Sequence, residues 1–156
     1  MPPTIRPYAP DDAQATLDVF LAAIRVTAAA DYTPEQLAAW APDDVDLTAW
    51  AHRRAARRTV VAEVDGRVVG FTDVDPDGYV DMMFVDPAVG RTGVASALLA
   101  WAYDAAVRDG ASTLTTHASL TARPFFEAHG FVVTAEQQPV RRGVTLTNFA
   151  MSRRLP

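Results

Sequence analysis

Residues 84–99 read FVDPAVGRTGVASALL, and this stretch decides the fold. An apolar run typical of a buried strand leads into a turn that begins at Asp86-Pro87, and the loop that follows contains Gly90 and Gly93. A helix comes next, and its first N–H groups have no intrahelical partner and lie at the positive end of the helix dipole. The stretch therefore predicts an anion-binding turn suited to a pyrophosphate, although similar turns in other α/β domains bind no ligand.

The loop lacks the motifs of two common nucleotide-binding folds. There is no G-x-x-x-x-G-K-[ST], so the lysine and hydroxyl that hold phosphates and Mg²⁺ in a P-loop are missing. No G-x-G-x-x-G follows a strand and no βαβ run precedes the loop, which argues against a dinucleotide-binding fold. The sequence favours a phosphate-bearing cofactor that is bound without a metal ion.

The composition is typical of a globular protein, and one domain is expected over residues 1–156. Hydrophobic residues make up 49% of the chain and charged residues 21%. The absence of cysteine excludes disulfides and thiolate chemistry, and the net charge of −5 argues against nucleic-acid binding. No apolar run is expected to reach the roughly 18–20 residues that span a bilayer. The first residues do not resemble a signal peptide, so we expect no membrane partner and a cytoplasmic location.

Hydrophobic periodicity predicts an α/β chain with the element order β, α, α, α, β, β, β, α, β, α, β, β. The first helix is expected to begin after a cap at Asp11 or Asp12, and the second after Thr33, where Pro34 and Gln36 complete a capping box. The other predicted helices cover residues 47–58, 93–109 and 121–129, and the predicted strands cover residues 4–8, 59–64, 67–74, 79–85, 114–118, 131–134 and 143–151.

The third predicted helix carries one tryptophan and four arginines. We expect Trp50 to face inward, because it belongs to the apolar side of the helix. The arginines are expected to face largely outward, as a solvated surface rather than a binding site: Arg53, Arg54, Arg57 and Arg58.

Two segments and the element order resemble the GNAT superfamily of acyl-CoA-dependent N-acyltransferases, over essentially the whole chain. The residues Val85-x-Pro87, followed by Gly93-Val94-Ala95 and Leu98-Leu99, are similar to its pyrophosphate motif, Arg/Gln-x-x-Gly-x-Gly/Ala. Residues 119–131, SLTARPFFEAHGF, resemble its Asn-x-x-Ala-x-x-x-Tyr-Glu-x-x-Gly-Phe segment. Residues 32–40 add a likeness to a bacterial branch of the superfamily.

This resemblance implies the GNAT fold, a central mixed and mostly antiparallel twisted sheet flanked by helices. It implies acetyl-CoA as the donor and a primary amine, of a small molecule or exposed on a protein, that attacks directly in a ternary complex. It implies that no metal takes part, and a homodimer is compatible with it. The residues expected to bind the cofactor are Phe84, Val85, Gly90, Arg91, Thr92, Gly93, Val94, Ala95, Ser119 and Phe126.

Three positions depart from the family pattern. Gly90 stands where the family has Arg or Gln, and Arg91 is the candidate to replace that side chain. Ser119 replaces the asparagine beside the pantetheine. Phe126 replaces the tyrosine that often protonates the leaving thiolate, so catalysis must proceed without that acid.

The reaction needs a base, because an unperturbed alkylammonium has a pKa of about 10. Asp81 lies in a predicted strand that leads to the cofactor loop and is the candidate to take the proton, with Asp73 second. A solvated carboxylate at a strand end is the alternative for Asp81. Ser119 is expected to donate a hydrogen bond to the departing thiolate, and His117 is the alternative donor.

The acceptor pocket is expected to contain Tyr32, Trp40 and Asp81, with Tyr8 as a further candidate. Aromatic residues at these spacings also fit a hydrophobic core, so this assignment has a structural alternative.

Two further roles follow from the resemblance. A strand N–H near Phe84 or Val85 is expected to stabilise the oxyanion. Arg91 or Arg123 is the candidate to meet the 3′-phosphate of the cofactor.

A second function stays open, that of an acyl-CoA-binding sensor with weak or lost catalysis. Phe126 and Gly90 favour the sensor, because each replaces a functional side chain of the family, and Asp81 favours the enzyme. Release of free CoA thiol in the presence of amines distinguishes the two.

Overall fold

The computed structural model describes residues 2–156. The helices are α1 (Ala13–Ala22), α2 (Pro34–Trp40), α3 (Leu47–Ala56), α4 (Val94–Arg108) and α5 (Arg123–Ala128). The strands are β1 (Thr4–Pro7), β2 (Thr59–Val64), β3 (Arg67–Asp73), β4 (Tyr79–Val80), β5 (Met83–Val85), β6 (Thr113–Ser119), β7 (Val132–Gln137), β8 (Val140–Arg141), β9 (Val144–Thr145) and β10 (Asn148–Arg154).

The strands form two four-stranded sheets and one small hairpin. The first sheet has the order β1-β2-β3-β5, and the second has the order β4-β6-β10-β7. Only β4 and β6 pair in parallel among the described strands, and the other pairs are antiparallel. The predicted mixed, mostly antiparallel α/β architecture is therefore confirmed. The prediction of one strand over residues 143–151 is wrong, because β9 pairs with the unpredicted β8, whereas β10 pairs with β6 and β7.

The predicted strand over residues 79–85 is in fact two strands, separated by Asp81 and Met82. Tyr79–Val80 pairs with β6 of the second sheet, whereas Met83–Val85 pairs with β3 of the first. The continuous strand prediction is wrong because these tertiary pairings pull the two halves apart. The two sheets diverge at this break, and the divergence opens a cleft between β5 and β6.

The helix α1 continues through a π-helical turn (Ala23–Thr27) and a 3-10 turn (Ala28–Ala30). By length and composition, the segment Pro10–Ala30 is sufficient to cross a membrane, so the expectation that no apolar run is long enough is wrong for this segment. Its apolar face, which includes Phe20 and Ile24, is buried with residues of β2 and β3. This packing is also typical of a core helix in a globular domain.

The predicted caps differ in outcome. The Asp12 side chain does not cap α1; its carboxylate accepts the Ala9 N–H at 2.8 Å and pairs with Arg6 of β1 at 2.8 Å. The capping box of α2 is confirmed, because Thr33 Oγ1 accepts the Gln36 N–H at 3.2 Å and Gln36 Oε1 accepts the Thr33 N–H at 2.9 Å.

Gly70 of β3 allows α4 to pack closely on the first sheet. A Cβ atom at this position would lie 3.1 Å from Leu98 Cδ1, Val94 Cγ1 and the Phe84 main-chain oxygen. Contacts this short require the neighbouring atoms to move by a few tenths of an ångström. The absence of a side chain keeps the start of α4 next to β5.

Candidate active site

The predicted anion-binding turn lies between β5 and α4. Gly93 precedes α4 with a φ of 89°, a left-handed conformation that favours glycine. The N–H groups of residues 91–96 donate to no main-chain acceptor within residues 2–156. A cavity of about 540 Å³ lies at the turn, and the predicted cofactor residues that line it are Val85, Gly90, Arg91, Gly93, Val94 and Ala95. This combination of free donors and space suits a diphosphate.

Thr92 is placed differently from its neighbours in the turn. It is absent from the lining of this cavity, and its hydroxyl donates to the Val89 main-chain oxygen instead. In this conformation the Thr92 side chain stabilises the turn and does not line the cavity.

The glycine and arginine at positions 90 and 91 show how the turn departs from the family pattern. Gly90 has a φ of −57°, so its backbone conformation does not depend on the freedom of a glycine. Its N–H donates to the Pro87 main-chain oxygen at 3.3 Å and is therefore not available to a ligand. Arg91 adopts the left-handed φ of 63°, which is strained for a residue other than glycine. Arg91 lines the cavity, whereas Arg123 is engaged with Glu127 at 3.3 Å.

A cleft of about 270 Å³ continues from the turn between β5 and β6. The cleft and the cavity at the turn share Val85 and Ala95 in their walls. The predicted site residues that line the cleft are Trp40, Asp81, Phe84, Val85, Ala95, Ser119 and Phe126. The fold thus brings together residues that are separated by as much as half the chain.

The cleft side of β5 is an open strand edge, because β5 ends the first sheet. Met82 accepts a main-chain hydrogen bond from β3 at 3.3 Å, and Asp86 donates one to β3 at 2.8 Å. Main-chain groups alternate between the two edges of a strand, so the Phe84 N–H points to β3, whereas those of Met83 and Val85 point into the cleft. Of the two oxyanion-donor candidates, Val85 has the suitable direction. Phe84 contributes its ring to the wall.

Ser119, His117 and Phe126 line the same cleft in different ways. Ser119 Oγ accepts the Ala122 N–H at 3.0 Å, which leaves its O–H to donate into the cleft. The exposed His117 ring packs edge-on against Tyr79, with centroids 5.5 Å apart. Phe126 is 4% exposed, so its ring belongs mainly to the core and presents only part of its surface to the cleft.

A second cavity, of about 150 Å³, adjoins the cleft and shares Asp81 and Ser119 with it. Tyr32 and Trp40 lie in its wall, with ring centroids 5.4 Å apart in an edge-on arrangement. Tyr8 does not line this cavity, so the expectation for Tyr8 as a wall residue is wrong; its ring packs against the core around α1. We refer to this space as the acceptor cavity.

The Tyr32 hydroxyl ties the two sides of the acceptor cavity together. It donates to the Thr147 main-chain oxygen at 2.6 Å and accepts the Leu120 N–H at 2.9 Å. Burial raises the pKa of Tyr32 above its ordinary value, while the Leu120 N–H opposes that rise. Tyr32 is therefore neutral at physiological pH, and it contributes its ring to the cavity rather than a charge.

Asn148 lines the acceptor cavity and was not found by sequence reasoning. The register of β10 on β6 places it opposite Ser119, and its Oδ1 is buried without a hydrogen-bond partner in the described chain. An isolated asparagine carries no local signal of this role, because only the pairing of β10 with β6 brings it to the cavity. A buried unpaired polar atom beside a cavity is a candidate contact for a ligand.

Four charged residues meet beside the acceptor cavity: Arg54, Arg57, Asp73 and Asp81. Arg54 Nη1 lies 3.5 Å from Asp73 Oδ2, and Arg57 Nη2 lies 3.1 Å from Asp73 Oδ1. Arg54 Nη2 and Arg57 Nε each lie 4.0 Å from Asp81 Oδ2. We refer to these residues as the charged cluster.

The predicted outward orientation of the arginines is wrong for two of the four. Arg54 is 1% exposed and Arg57 is partly buried, whereas Arg53 and Arg58 are exposed as predicted. For Arg54 the signal was present in the sequence, because Trp50 and Arg54 follow the i, i+4 spacing of one helix face. Arg57 follows the end of α3 in extended backbone, so helical spacing does not account for its burial.

Burial dominates the electrostatics of the charged cluster. It raises the pKa of Asp73, against the opposing effects of the Asp81 N–H and Arg57. Burial also lowers the pKa of Arg54. For Arg57, burial is opposed by the charge and hydrogen bond of Asp73 and by the charges of Asp81 and Asp75, and together these raise the pKa. Asp73 is 0% exposed and its oxygens face the arginines and Asp81, so it is not accessible to an acceptor amine.

A model of the acetyltransferase (GNAT) domain matches residues 28–153. The chain belongs to the GNAT acetyltransferase family. This GNAT protein is accordingly an N-acetyltransferase, an enzyme of the acyltransferase class, as the two sequence motifs predict.

Relatives and solved structures agree with the membership. The GNAT protein is 40% identical over 147 residues to the N-acetyltransferase YafP of Escherichia coli, covering 94% of this chain and 93% of YafP. It is 34% identical, with a TM-score of 0.95, to a GCN5-related N-acetyltransferase from Rhodopseudomonas palustris, covering 99% and 97% of the two chains. PaiA N-acetyltransferase from Thermoplasma acidophilum, solved with coenzyme A, shares the fold at 16% identity and a TM-score of 0.77, with 99% of both chains covered.

Proposed function

We propose that this GNAT protein transfers the acetyl group of acetyl-CoA to a primary amine by direct attack within a ternary complex. The amine belongs to a small molecule or is exposed on a protein. One observation carries the proposal, the continuity of the three spaces. Val85 and Ala95 join the turn to the cleft, and Asp81 and Ser119 join the cleft to the acceptor cavity.

The turn supports acetyl-CoA as the donor. The free N–H groups of residues 91–96 suit a diphosphate at one end of the path, and the open edge of β5 suits the amides of the pantetheine arm. Two neighbours with the same fold were solved with the corresponding ligands: PaiA with coenzyme A, and YncA from Salmonella typhimurium with acetyl-CoA. The thioester would then lie near Val85 and Ser119.

Asp81 supplies the base in this proposal. Its side chain is 37% exposed and lines both the cleft and the acceptor cavity, so an amine in the cavity can reach it directly or through a water. The alkylammonium loses one proton to Asp81, the neutral nitrogen forms a bond to the thioester carbon, and the nitrogen releases a second proton to solvent as the amide forms. The Asp81 proton passes to solvent afterwards.

Val85 and Ser119 act on the other side of the reacting carbon. The Val85 N–H stabilises the negative charge that develops on the carbonyl oxygen. The carbon–sulfur bond then breaks, and the Ser119 O–H donates a hydrogen bond to the departing thiolate, which takes a proton from solvent. The products are the N-acetylated amine and CoA with a free thiol.

The test is release of CoA thiol from acetyl-CoA in the presence of a panel of primary amines, with mass spectrometry of the acetylated product. We expect thiol release above the rate without amine for at least one acceptor. Calorimetric binding of acetyl-CoA is measured in parallel. Binding without amine-dependent release contradicts the transferase proposal and favours the sensor.

A further inference from the structure

The acceptor cavity is lined by one carboxylate, of Asp81, and one guanidinium, of Arg141. We propose that the acceptor is an amino acid, whose amine lies at Asp81 while Arg141 and Asn148 bind its carboxylate. This inference rests on the proposed function, because it names the class of amine that the acceptor cavity takes.

The order of the second sheet places Asp81 and Asn148 on opposite sides of β6. Asp81 directly follows β4, and Asn148 is the first residue of β10. The strand β6 lies between β4 and β10, and its residue Ser119 pairs with Asn148. Because neighbouring strands lie about 4.8 Å apart, the two residues are separated across the sheet by roughly 10 Å. A ligand that contacts both side chains therefore needs two polar groups joined by a short chain.

Arg141 reaches the acceptor cavity from the same side as Asn148. It belongs to β8, which follows β7, and β7 pairs with β10 at the edge of the second sheet that is farther from β4. The Leu146 N–H donates to the Pro139 main-chain oxygen at 2.9 Å and closes the base of the hairpin formed by β8 and β9. The cation is thus supplied from the β10 side of the cavity, and the carboxylate of Asp81 from the β4 side.

The Arg141 guanidinium is free to bind a ligand. It forms no ion pair and no side-chain hydrogen bond with any residue from 2 to 156, although it lines the acceptor cavity. The adjacent Arg142 instead pairs with Asp44 at 2.8 Å and lines a different cavity. A guanidinium presents its N–H donors in a planar fork that matches a carboxylate. Arg141 therefore offers an anion site at the acceptor cavity.

Asn148 adds free hydrogen-bonding capacity on the same side. Its Oδ1 is buried without a partner, and its side chain makes no hydrogen bond in the part of the chain that the structure describes. An asparagine amide has two N–H donors as well as an acceptor, so it can donate to an anion. A buried polar atom without a partner is rare in folded proteins and calls for a water or a ligand. Arg141 and Asn148 together thus favour a polar group of the ligand on this side.

The two charges of the acceptor cavity do not neutralise each other. Within residues 2–156 Asp81 lies within 4.0 Å of Arg54 and Arg57 but forms no ion pair with Arg141. Aromatic rings form much of the remaining wall: Phe20, Tyr32, Trp40, Tyr79 and Phe84. An ammonium at Asp81, a short carbon chain against the rings and a carboxylate at Arg141 complement all three parts of a cavity of about 150 Å³. A simple alkylamine leaves Arg141 and Asn148 without a partner.

The experiment compares acceptors that differ only in the anionic group. Glycine, β-alanine and γ-aminobutyrate are each tested against the corresponding carboxamide, and the kcat/KM of the acid is divided by that of the amide. We expect the wild type to prefer the acid for at least one chain length. The ratio is expected to fall about tenfold in Arg141→Gln, mainly through KM, because hydrogen bonds between charged groups are among the strongest in proteins. Comparison of one ratio between variants cancels the different basicity of the two amines.

Two further variants control for the position and the sign of the charge. Arg141→Glu places a negative charge in the same position and is expected to lower the ratio below that of Arg141→Gln. Arg142→Gln removes the same charge from the next residue, which lies outside the acceptor cavity, and is expected to keep the wild-type ratio.

A second readout does not need turnover. Calorimetry measures the binding of the preferred amino acid to protein that is saturated with CoA. We expect Arg141→Gln and Asn148→Ala each to weaken this binding about tenfold, and Arg142→Gln to stay within about twofold of wild type.

Two results overturn the inference. One is an equal acid-to-amide ratio in the wild type and Arg141→Gln, and the other is a wild type that prefers the carboxamide at every chain length. If no amine is acetylated, the proposed function fails, and calorimetry alone decides: binding of an amino acid that depends on Arg141 supports the anion site, and absence of such binding refutes it.

Discussion

The main-chain N–H of Asp81 donates to Asp73 Oδ1 at 2.9 Å, across the point where the two sheets part. This bond uses the backbone of Asp81 and not its carboxylate. Substitution of the side chain therefore tests its chemistry without removing the bond that holds the strand break.

The first prediction concerns this carboxylate. Asp81→Asn removes the proposed base and is expected to lower kcat about a hundredfold or more, because general bases contribute about 10²–10⁴-fold to rate. The affinity for acetyl-CoA, measured by calorimetry, is expected to stay within about twofold of wild type, a difference of about 0.4 kcal/mol.

His117→Gln is the matched control, because His117 lines the same two spaces. It is expected to retain most of the wild-type turnover. Equal turnover of Asp81→Asn and wild type removes Asp81 from the mechanism, and a selective loss in His117→Gln transfers the role to the histidine.

The second prediction concerns the turn at Gly93. A Cβ atom there meets no atom within 4 Å, so the substitution does not clash with the protein; the cost is the left-handed φ of 89°. Gly93→Ala is expected to rotate the main chain and misdirect the N–H groups of the turn. Because hydrogen bonds to charged groups contribute about 1.5–3 kcal/mol, we expect acetyl-CoA to bind about tenfold more weakly.

Gly66 supplies a control with the same backbone strain. It has a φ of 76° in the hairpin between β2 and β3, and a Cβ atom there also meets open space. Both alanine variants are expected to lose about 1 kcal/mol of unfolding free energy, but only Gly93→Ala loses affinity. Similar acetyl-CoA affinity in the two variants argues against the turn as the phosphate site.

Local patterns predicted the parts of this site that depend on neighbours in sequence. The capping box at Thr33 is set by residues within one turn of chain, so its conformation was predictable from the sequence. The family motifs added the cofactor loop and Ser119. At these positions the local backbone conformation favours only a few residue types, so the residue types in turn indicate the conformation.

Features created by tertiary pairing were not predicted. The break at Asp81 forms because residues 79–80 and 83–85 pair with different sheets. The alternation of apolar residues indicates a strand but does not indicate which other strand it pairs with. The same holds for Asn148, which reaches the acceptor cavity only through its register opposite Ser119. Arg54 was predicted outward because a charged residue is seldom buried, and its partner Asp73 is 19 residues away.

The third prediction is a pH dependence of stability at the start of α1. The hydrogen bonds from Arg6 lower the pKa of Asp12, against the opposing effect of burial. A carboxylate with a lowered folded-state pKa stabilises the fold above its unfolded pKa of about 3.9, and that contribution disappears as the pH falls through the folded value. Asp12→Asn is therefore expected to lower the free energy of unfolding, measured in urea, by about 2 kcal/mol at pH 7. The loss is expected to become progressively smaller below about pH 4.

Asp11→Asn is the control for this measurement. Asp11 is exposed and precedes Asp12 directly, so the two substitutions change net charge equally. The free energy of unfolding of Asp11→Asn is expected to lie within about 0.5 kcal/mol of the wild-type value, both at pH 7 and below about pH 4. A cost of Asp12→Asn that persists undiminished at low pH contradicts the role of the Arg6 pair.

The last prediction concerns the Tyr32 hydroxyl, which joins the Leu120 N–H to the Thr147 main-chain oxygen. Tyr32→Phe keeps the ring in the wall of the acceptor cavity and leaves both main-chain groups without that partner. Because an unpaired buried polar group costs about 1–3 kcal/mol, we expect a loss of about 2 kcal/mol in unfolding free energy.

Tyr103→Phe removes a hydroxyl for which the described residues offer no hydrogen bond, although the Tyr103 ring still packs under Arg153 at 4.6 Å. We expect the free energy of unfolding of this control to stay within about 0.5 kcal/mol of the wild-type value. In activity assays Tyr32→Phe should raise the KM for the amine more than it lowers kcat, because Leu120 and Thr147 adjoin Ser119 and Asn148, which line the acceptor cavity. Unchanged stability and an unchanged KM in Tyr32→Phe would show that the two sides of the acceptor cavity keep their positions without the tyrosine hydroxyl. The contribution of Tyr32 to the cavity would then come from its ring alone.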